Sequence, residues 1–177
     1  IVPAACFHES TPISVNDTLI PISYILPGDV IGDNIRVTST IKILRPKNQK
    51  MIRYKGIIMT NEHRIHKGNL CIETECIPGA EKIDIEPDFL YCLNTDTKRI
   101  PIFDEEFTDW DDLDKREIKL LQNVCKLNHI HDFHERFTTG FHPDTTIKMV
   151  NNEEKCIKDI ECGEYTANGE QIVGIVL

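Results

Sequence analysis

The stretch CFHESTPI at residues 6–13 returns in altered form as GFHPDTTI at residues 140–147. The second stretch keeps the Phe, His, Thr and Ile of the first, whereas Gly140 stands where the first has Cys6. A thiol present in one copy and missing from its twin suggests chemistry in the first and a scaffold in the second. The shared residues indicate a common fold. A common fold does not explain why only the first copy has a cysteine at this position.

The likeness between the copies continues beyond this stretch. With one insertion, residues 6–44 align with residues 140–177. In that alignment Ile22, Ile25, Gly28, Asp29 and Val37 fall on Ile157, Ile160, Gly163, Glu164 and Ile172. The shared scheme is an opening strand, a turn, a second strand that ends in I-x-x-G-[DE], and a return strand. We therefore expect a partial second repeat over residues 138–177.

The composition is that of a globular protein with an acidic balance. The 177 residues suffice for one domain or for one domain with an appendage. The net charge of −9 argues against nucleic acid or an anionic membrane as a partner. No apolar run approaches the roughly 20 residues that span a bilayer, and residues 1–5 lack the features of a signal peptide. We interpret the acidic residues clustered at 104–114 as a solvated face.

The cysteines indicate a reducing environment. There are seven of them, an odd number, and their spacing does not suggest a disulfide framework. Most would then serve as small core residues in an intracellular protein.

The first 110 residues are typical of short strands separated by turns. Runs rich in Ile, Val, Thr and Tyr lie at 13–15, 35–44, 51–59, 70–76, 89–94 and 100–103. Gly, Pro, Asn and Asp separate them, which predicts a compact, mostly β fold and argues against a parallel α/β sheet. Apolar residues then recur at three- and four-residue spacing between 111 and 136. They predict one amphipathic α-helix, which would link the two copies as residues 113–137.

The run HIHDFHE at residues 129–135 is a candidate metal site. On a helix His131 and His134 would share a face with Glu135 beside them. No fourth ligand is evident, and histidines near a helix end also complement the helix dipole. We therefore predict no metal and no cofactor. His8 and His142 recur in both copies and are interpreted as structural residues of the turn.

Several short motifs follow one another in the first copy. They are C-F-x-x-x-T-x-I at 6–13, I-x-x-G-D at 25–29, T-x-x-H at 60–63, L-Y-C-L at 90–93 and the stretch 100–111. In this order and spacing they resemble the Hint superfamily, the self-processing modules of inteins and hedgehog proteins. The tandem with a degenerate second copy is similar to Hint-like proteins of large DNA viruses. The resemblance implies a horseshoe-type all-β domain over residues 6–112, in a cytoplasmic or viral setting.

The resemblance also implies self-cleavage at the Ala5–Cys6 bond. The thiol of Cys6 would attack the preceding carbonyl and form a thioester. Thr60 would hold the scissile amide, and His63 would protonate the departing nitrogen. Because an amide is more stable than a thioester, the protein must supply strain and stabilise the oxyanion. Asp109 would act as a base, as an Asp does in hedgehog-type modules.

The far end of the first copy departs from the intein pattern, which ends in His-Asn followed by Cys, Ser or Thr. Asp109, Trp110 and Asp111 stand at these positions, and tryptophan has no side-chain amide to cyclise. We therefore expect N-terminal cleavage, or acyl transfer to water or an unknown nucleophile, without full splicing. Residues 1–5 would be the remnant of the upstream polypeptide that serves as the substrate.

Each candidate residue also has a plainer interpretation. Cys6 and Cys92 could be small core thiols, although some atypical inteins use a Cys at the position of Cys92 as an acyl acceptor. Thr60 and His63 could form an ordinary exit from a strand, and Asp109 could cap the helix. For the whole chain, the alternatives are an inactive Hint-fold module with a structural or interaction role, and a thiol hydrolase that acts in trans.

Overall fold

A computed structural model describes residues 5–110, Lys119 and residues 140–177. The described residues are mostly β, as predicted, and include short 3₁₀ helices. The linking helix predicted at 113–137 lies outside the described residues apart from Lys119, and the histidine run at 129–135 lies wholly outside them.

The chain divides into two units, one formed by residues 1–112 together with 173–177 and the other by residues 113–172. The described strands of the first unit are β1 (Pro12–Val15), β2 (Thr18–Pro21), β3 (Val30–Ile31), β4 (Ile35–Leu44), β5 (Met51–Tyr54), β6 (Ile57–Thr60), β7 (Arg64–Lys67), β8 (Leu70–Glu73), β9 (Glu81–Ile83), β10 (Phe89–Thr95), β11 (Arg99–Ile102), β12 (Glu105–Thr108) and, from the far end of the chain, β15 (Gly174–Val176). The 3₁₀ helices of this unit are Ile22–Tyr24 and Thr74–Cys76. The second unit contains β13 (Thr146–Lys148), β14 (Glu154–Cys156) and the 3₁₀ helix Ile157–Asp159.

The first unit is built by antiparallel pairing around its longest strand, β4. On one edge β4 pairs along its length with β10, and it also pairs with β3 and β15. The last five residues of the predicted second repeat therefore add a strand to the first unit. Two further sheets have the strand orders β11-β12-β7-β8 and β6-β5-β9. The core between the strands is apolar, and its largest fully buried side chains include Phe7, Phe107, Ile13, Ile31, Ile52, Ile65 and Leu90.

The run 51–59, which reads as one strand in the sequence, is a hairpin. Lys55 (φ 48°) and Gly56 (φ 81°) both lie in the left-handed region, as the two central residues of a type I′ turn do. Gly56 adopts this conformation at little steric cost because it has no Cβ. The turn joins β5 to β6 and sets Thr60, the last residue of β6, opposite Met51.

The acidic stretch is not wholly a solvated face, and that interpretation is wrong for Glu105 and Asp109, which are both buried. Glu105 is 2 % exposed and accepts hydrogen bonds from Tyr54 Oη (3.1 Å), from Lys55 Nζ (2.6 Å) and from Lys67 Nζ. Burial acts to raise the pKa of Glu105, but the bonds from both lysines and the tyrosine outweigh it and hold the pKa below its ordinary range. These contacts join Glu105 in β12 to residues some forty to fifty positions earlier in the chain, so a local sequence pattern does not predict them.

Both copies form the same turn around a histidine. In the first copy Ser10 N donates to His8 Nδ1 (3.2 Å), and in the second Asp144 N donates to His142 Nδ1 (3.3 Å). These are local side-chain-to-backbone bonds of the kind that stabilise turns. They agree with a structural role for the two histidines.

Backbone hydrogen bonds also match between the copies, pair by pair. The matched pairs are Thr11 N to His8 O (3.0 Å) with Thr145 N to His142 O (2.8 Å), Ile22 N to Thr11 O (2.8 Å) with Ile157 N to Thr145 O (2.8 Å), and Gly28 N to Val37 O (2.8 Å) with Gly163 N to Ile172 O (2.8 Å). Gly28 (φ 96°) and Gly163 (φ 100°) share a backbone conformation that favours glycine. The aligned residues thus take equivalent positions in two copies of one local structure.

Candidate active site

The segment that carries Cys6 lies between two strands. We call residues 5–8 the entry segment. Phe7 N donates to Tyr91 O (2.7 Å) and Tyr91 N donates to Phe7 O (3.0 Å), so the entry segment runs antiparallel beside β10. On the other side His8 N donates to a carbonyl of β6, that of Ile58 (2.9 Å). Backbone bonds to both strands therefore fix the position of Cys6.

Thr60, at the end of β6, binds both polar groups of the Cys6 backbone. Its hydroxyl oxygen accepts a hydrogen bond from Cys6 N (3.2 Å), and its own N donates to Cys6 O (2.9 Å). Cys6 N belongs to the Ala5–Cys6 peptide bond. Cys6 and Thr60 are completely buried, whereas Ala5 is partly exposed. A hydroxyl group thus holds the amide predicted to be cut, at the point where the chain enters the core.

A turn carries the chain from Thr60 to His63. His63 N donates to Thr60 O (3.1 Å), and the His63 ring packs on Phe7 with the ring centroids 4.2 Å apart. Phe107 in β12 lies edge-on to both rings, 5.3 Å from Phe7 and 5.6 Å from His63. Because Phe7 directly follows Cys6, the imidazole lies beside the entry segment.

Burial sets the protonation state of His63. Nδ1 accepts a hydrogen bond from Arg64 N (3.0 Å), so the proton of the neutral ring is on Nε2. Burial, with a smaller contribution from the Arg64 charge, lowers the pKa of His63 to about 3. The ring is therefore neutral at pH 7. Its Nε2 is buried without a hydrogen-bond partner in the part of the chain that the structure describes, an uncommon state for a buried donor and one found at catalytic sites.

Asp109 approaches the same edge of β10 as the entry segment. Trp110 N donates to Leu93 O (3.0 Å), and Asp109 Oδ2 accepts a hydrogen bond from Thr95 N (2.9 Å). The entry segment binds this edge at Tyr91, two residues or about 7 Å along the strand from Leu93. Asp109 is buried. The end of the first copy and its beginning therefore meet on one strand.

Cys92 stands opposite Cys6. Phe7 and Tyr91 exchange both backbone hydrogen bonds, so the next pair in antiparallel register is Cys6 with Cys92. In such a non-hydrogen-bonded pair the Cα atoms are about 4.5 Å apart and the side chains share a face. Burial raises the pKa of the Cys6 thiol well above its ordinary value, and a hydrogen bond with the Cys92 side chain adds to this. Cys6 is therefore a thiol, not a thiolate, at neutral pH.

The predicted site residues come together to different degrees. Thr60 and Cys92 contact Cys6 directly. His63 lies against the neighbouring Phe7 ring, and Asp109 lies further along the same edge of β10.

Two residues that bear on the site were not singled out from the sequence. Phe7 forms the wall against which His63 packs, and Thr95 holds the Asp109 carboxylate through its backbone nitrogen. Phe7 did carry a signal, since it recurs in both copies, but recurrence pointed to a scaffold. Thr95 acts through its main chain, so its side chain offers no signal.

Comparison with protein-family models, with curated proteins and with solved structures finds no match to this chain. Among the described residues, no three His, Cys, Asp or Glu side chains are grouped to hold a metal ion. In the same part of the chain no helix is long and apolar enough to cross a bilayer. What the chain does is therefore inferred from the site itself.

Proposed function

We propose that this chain is a Hint-type self-processing module that cleaves its own upstream polypeptide at the Ala5–Cys6 bond. The observation that carries the proposal is the Thr60 hydroxyl, which lies 3.2 Å from the nitrogen of that bond, with the buried, neutral His63 beside it. The motif order of the first copy and the mostly β fold support it further. Residues 6–112 would form the active Hint-like domain, and residues 138–177 a degenerate repeat.

The first step of the proposed reaction is an N–S acyl shift. Cys6 Sγ attacks the carbonyl carbon of Ala5, a carbon–sulfur bond forms, and the peptide carbon–nitrogen bond breaks. The proton of the thiol ends on the departing nitrogen, so no proton is gained or lost overall. Because Nδ1 of the neutral His63 already accepts a bond from Arg64 N, the thiol proton would pass to the departing nitrogen without being held on the ring. His63 would assist as a hydrogen-bond donor through its Nε2 proton.

The backbone contacts explain how the amide would be held for attack. Thr60 binds Cys6 on both its nitrogen and its carbonyl oxygen, so the leaving side of the bond stays fixed in the core. Ala5 on the acyl side is partly exposed. Fixing one side of a reacting bond in place is a general source of rate enhancement.

The thioester would then be resolved by one of two routes. Water, with Asp109 as the base, would release the upstream segment as a carboxylate and restore the Cys6 thiol. Alternatively the Cys92 thiol would attack the thioester, which moves the acyl group to Cys92 and returns a proton to Cys6. Trp110 has no side-chain amide to cyclise, so neither route leads to splicing.

A catalytically inactive Hint-fold module, with a structural or interaction role, is the second candidate. The complete burial of Cys6 and its raised pKa favour it, because the thiolate is the nucleophilic form of cysteine. The two candidates differ in whether a thioester ever forms.

The test is a fusion that places a folded reporter domain in front of Ile1. We expect the wild-type fusion to split into two fragments when dithiothreitol or hydroxylamine is added, with the new amino terminus at Cys6 by mass spectrometry. The Cys6→Ala fusion should stay intact. Thr60→Val and His63→Gln should each slow cleavage by about 100-fold or more, the usual contribution of a preorganised hydrogen-bonding or acid–base group.

The matched control is Cys71→Ala, which removes an exposed thiol and should leave the cleavage rate unchanged. A wild-type fusion that is folded by circular dichroism but remains intact under both reagents would contradict the proposal. That outcome would favour the inactive module.

A further inference from the structure

The Cys6–Cys92 pair has the geometry of a cross-strand disulfide site. The Phe7–Tyr91 bond pair sets the register, which brings the two cysteines face to face on adjacent antiparallel strands. The Cα separation of about 4.5 Å in such pairs falls within the range that a disulfide spans. Both thiols are free in the structure. No backbone movement is needed to bring their side chains to the same face.

A pocket borders Cys92 but not Cys6. The pocket has a volume of about 120 Å³, and Ile41, Lys42, Tyr91 and Leu177 are among its lining residues together with Cys92. Cys6 is 0 % exposed and does not line it. Cys92, itself 1 % exposed, is therefore the one of the two cysteines that borders a pocket.

We propose that Cys6 and Cys92 are a redox pair, oxidised to a disulfide by a small-molecule disulfide of the glutathione type. The Cys92 thiolate attacks one sulfur of the reagent, and a first small thiol leaves. Cys6 then attacks the mixed disulfide at Cys92 and releases a second small thiol. Two protein thiols are oxidised and one reagent disulfide is reduced to two thiols, which take up the two protons.

The disulfide would block the proposed reaction but leave the backbone contacts of the site in place. Cys6 Sγ is joined to Cys92 and can no longer attack the Ala5 carbonyl, whereas the backbone bonds that Thr60 makes to Cys6 do not involve sulfur. Reduction restores the nucleophile. This switching role rests on the proposed function, but the formation of the disulfide does not.

Exposed cysteines provide the contrast for a test. Cys71 in β8 and Cys76 in the second 3₁₀ helix are both exposed, so small disulfides should modify them as mixed disulfides. A Cys71→Ala/Cys76→Ala variant removes that background and leaves the Cys6–Cys92 pair untouched.

The first experiment uses the folded full chain in the Cys71→Ala/Cys76→Ala background. After incubation with glutathione disulfide, peptide mapping without reductant should show the Cys6 peptide linked to the Cys92 peptide, with a loss of two hydrogen atoms. Cys92→Ala should abolish the link. Absence of the link in the folded chain, or equal formation of the link in denaturant, would overturn the inference.

The second experiment uses the reporter fusion and separates the two proposals. Oxidised fusion should resist hydroxylamine, a nucleophile that leaves disulfides intact. The same fusion should cleave at the rate of never-oxidised fusion after prior reduction. If the link forms but no fusion ever cleaves, the disulfide stands and the proposed function falls. If reduced fusion cleaves but no link forms, the function stands and the redox pair falls.

Discussion

Phe7 is completely buried whereas 79 % of Phe141 is exposed, although both precede the same histidine turn. The turns themselves match bond for bond: Thr11 N binds His8 O in the first copy as Thr145 N binds His142 O in the second. Local backbone bonds therefore define the repeated structure. The burial of the phenylalanine differs between the copies even though the turn is the same.

The difference shows where the site comes from. In the first copy, Phe7 packs against His63 and Phe107, which come from the turn before β7 and from β12. Those elements lie far along the chain from the turn. The turn recurs in both copies, whereas the candidate site depends on the strands that pack around the turn in the first unit, which is a general relation between folds and sites.

The largest expected change in the free energy of unfolding comes from truncating Phe7, and truncating Phe141 should have almost no effect. Phe7→Ala should lower the free energy of unfolding by about 3–5 kcal/mol, as for other buried aromatic residues truncated in a core. Phe141→Ala should change it by less than about 0.5 kcal/mol, because most of the side chain is already in water. Denaturant unfolding of both variants measures the contrast. Equal losses would mean that burial does not distinguish the copies.

Protonation of His63 should give a smaller, pH-dependent change in the free energy of unfolding. Its pKa is about 3 in the folded chain and 6.5 in an unperturbed histidine, so the unfolded chain binds the extra proton between these values. Stability is then fully present above pH 6.5 and is lost as the pH falls towards 3. The loss between pH 7 and pH 5 should be about 2 kcal/mol.

His63→Gln should lack this component of the pH dependence, and Thr60→Val should keep it. Denaturant midpoints measured at several pH values give both results. An unchanged pH dependence in His63→Gln would show that the ring is not held neutral by burial.

The smallest effect should be equal in the two copies. Gly28 and Gly163 have matching positive φ values, and an added Cβ would meet no atom within 4 Å at either position. Gly28→Ala and Gly163→Ala should therefore each cost only backbone strain, about 1 kcal/mol. A large difference between them in thermal or denaturant unfolding would show that the two turns are not equivalent.

The sequence predicts local features better than distant pairings. The strand at 35–44 and the repeated turn follow from local alternation and turn residues, and the structure contains both. The hairpin within 51–59 was missed because its turn is only two residues long, Lys55-Gly56, and mostly apolar residues lie on both sides of it. Burial of Glu105 was missed because its partners come from elsewhere in the chain, Lys55 from the turn between β5 and β6 and Lys67 from β7. Such contacts depend on how the strands assemble, which a local pattern does not encode.

The part of the candidate site that lies within one short motif could be predicted from the sequence. The T-x-x-H spacing puts Thr60 at the end of a strand and His63 one turn later, and the structure has this arrangement. The opposition of Cys6 and Cys92 could not be predicted, because it follows from the Phe7–Tyr91 register. A shift of one residue in that register would move the side chains to opposite faces.

The Leu93 carbonyl shows that β10 holds the two sides of the Ala5–Cys6 bond differently. In the Phe7–Tyr91 register this carbonyl would bind the nitrogen of Ala5, but it accepts the hydrogen bond of Trp110 N instead. The Cys6 side of the bond is held by Thr60 on both its nitrogen and its carbonyl oxygen. In the proposed reaction, the amino half of the bond would therefore stay anchored in the core, while Leu93 would leave Ala5 on the acyl half free to turn towards the thiol.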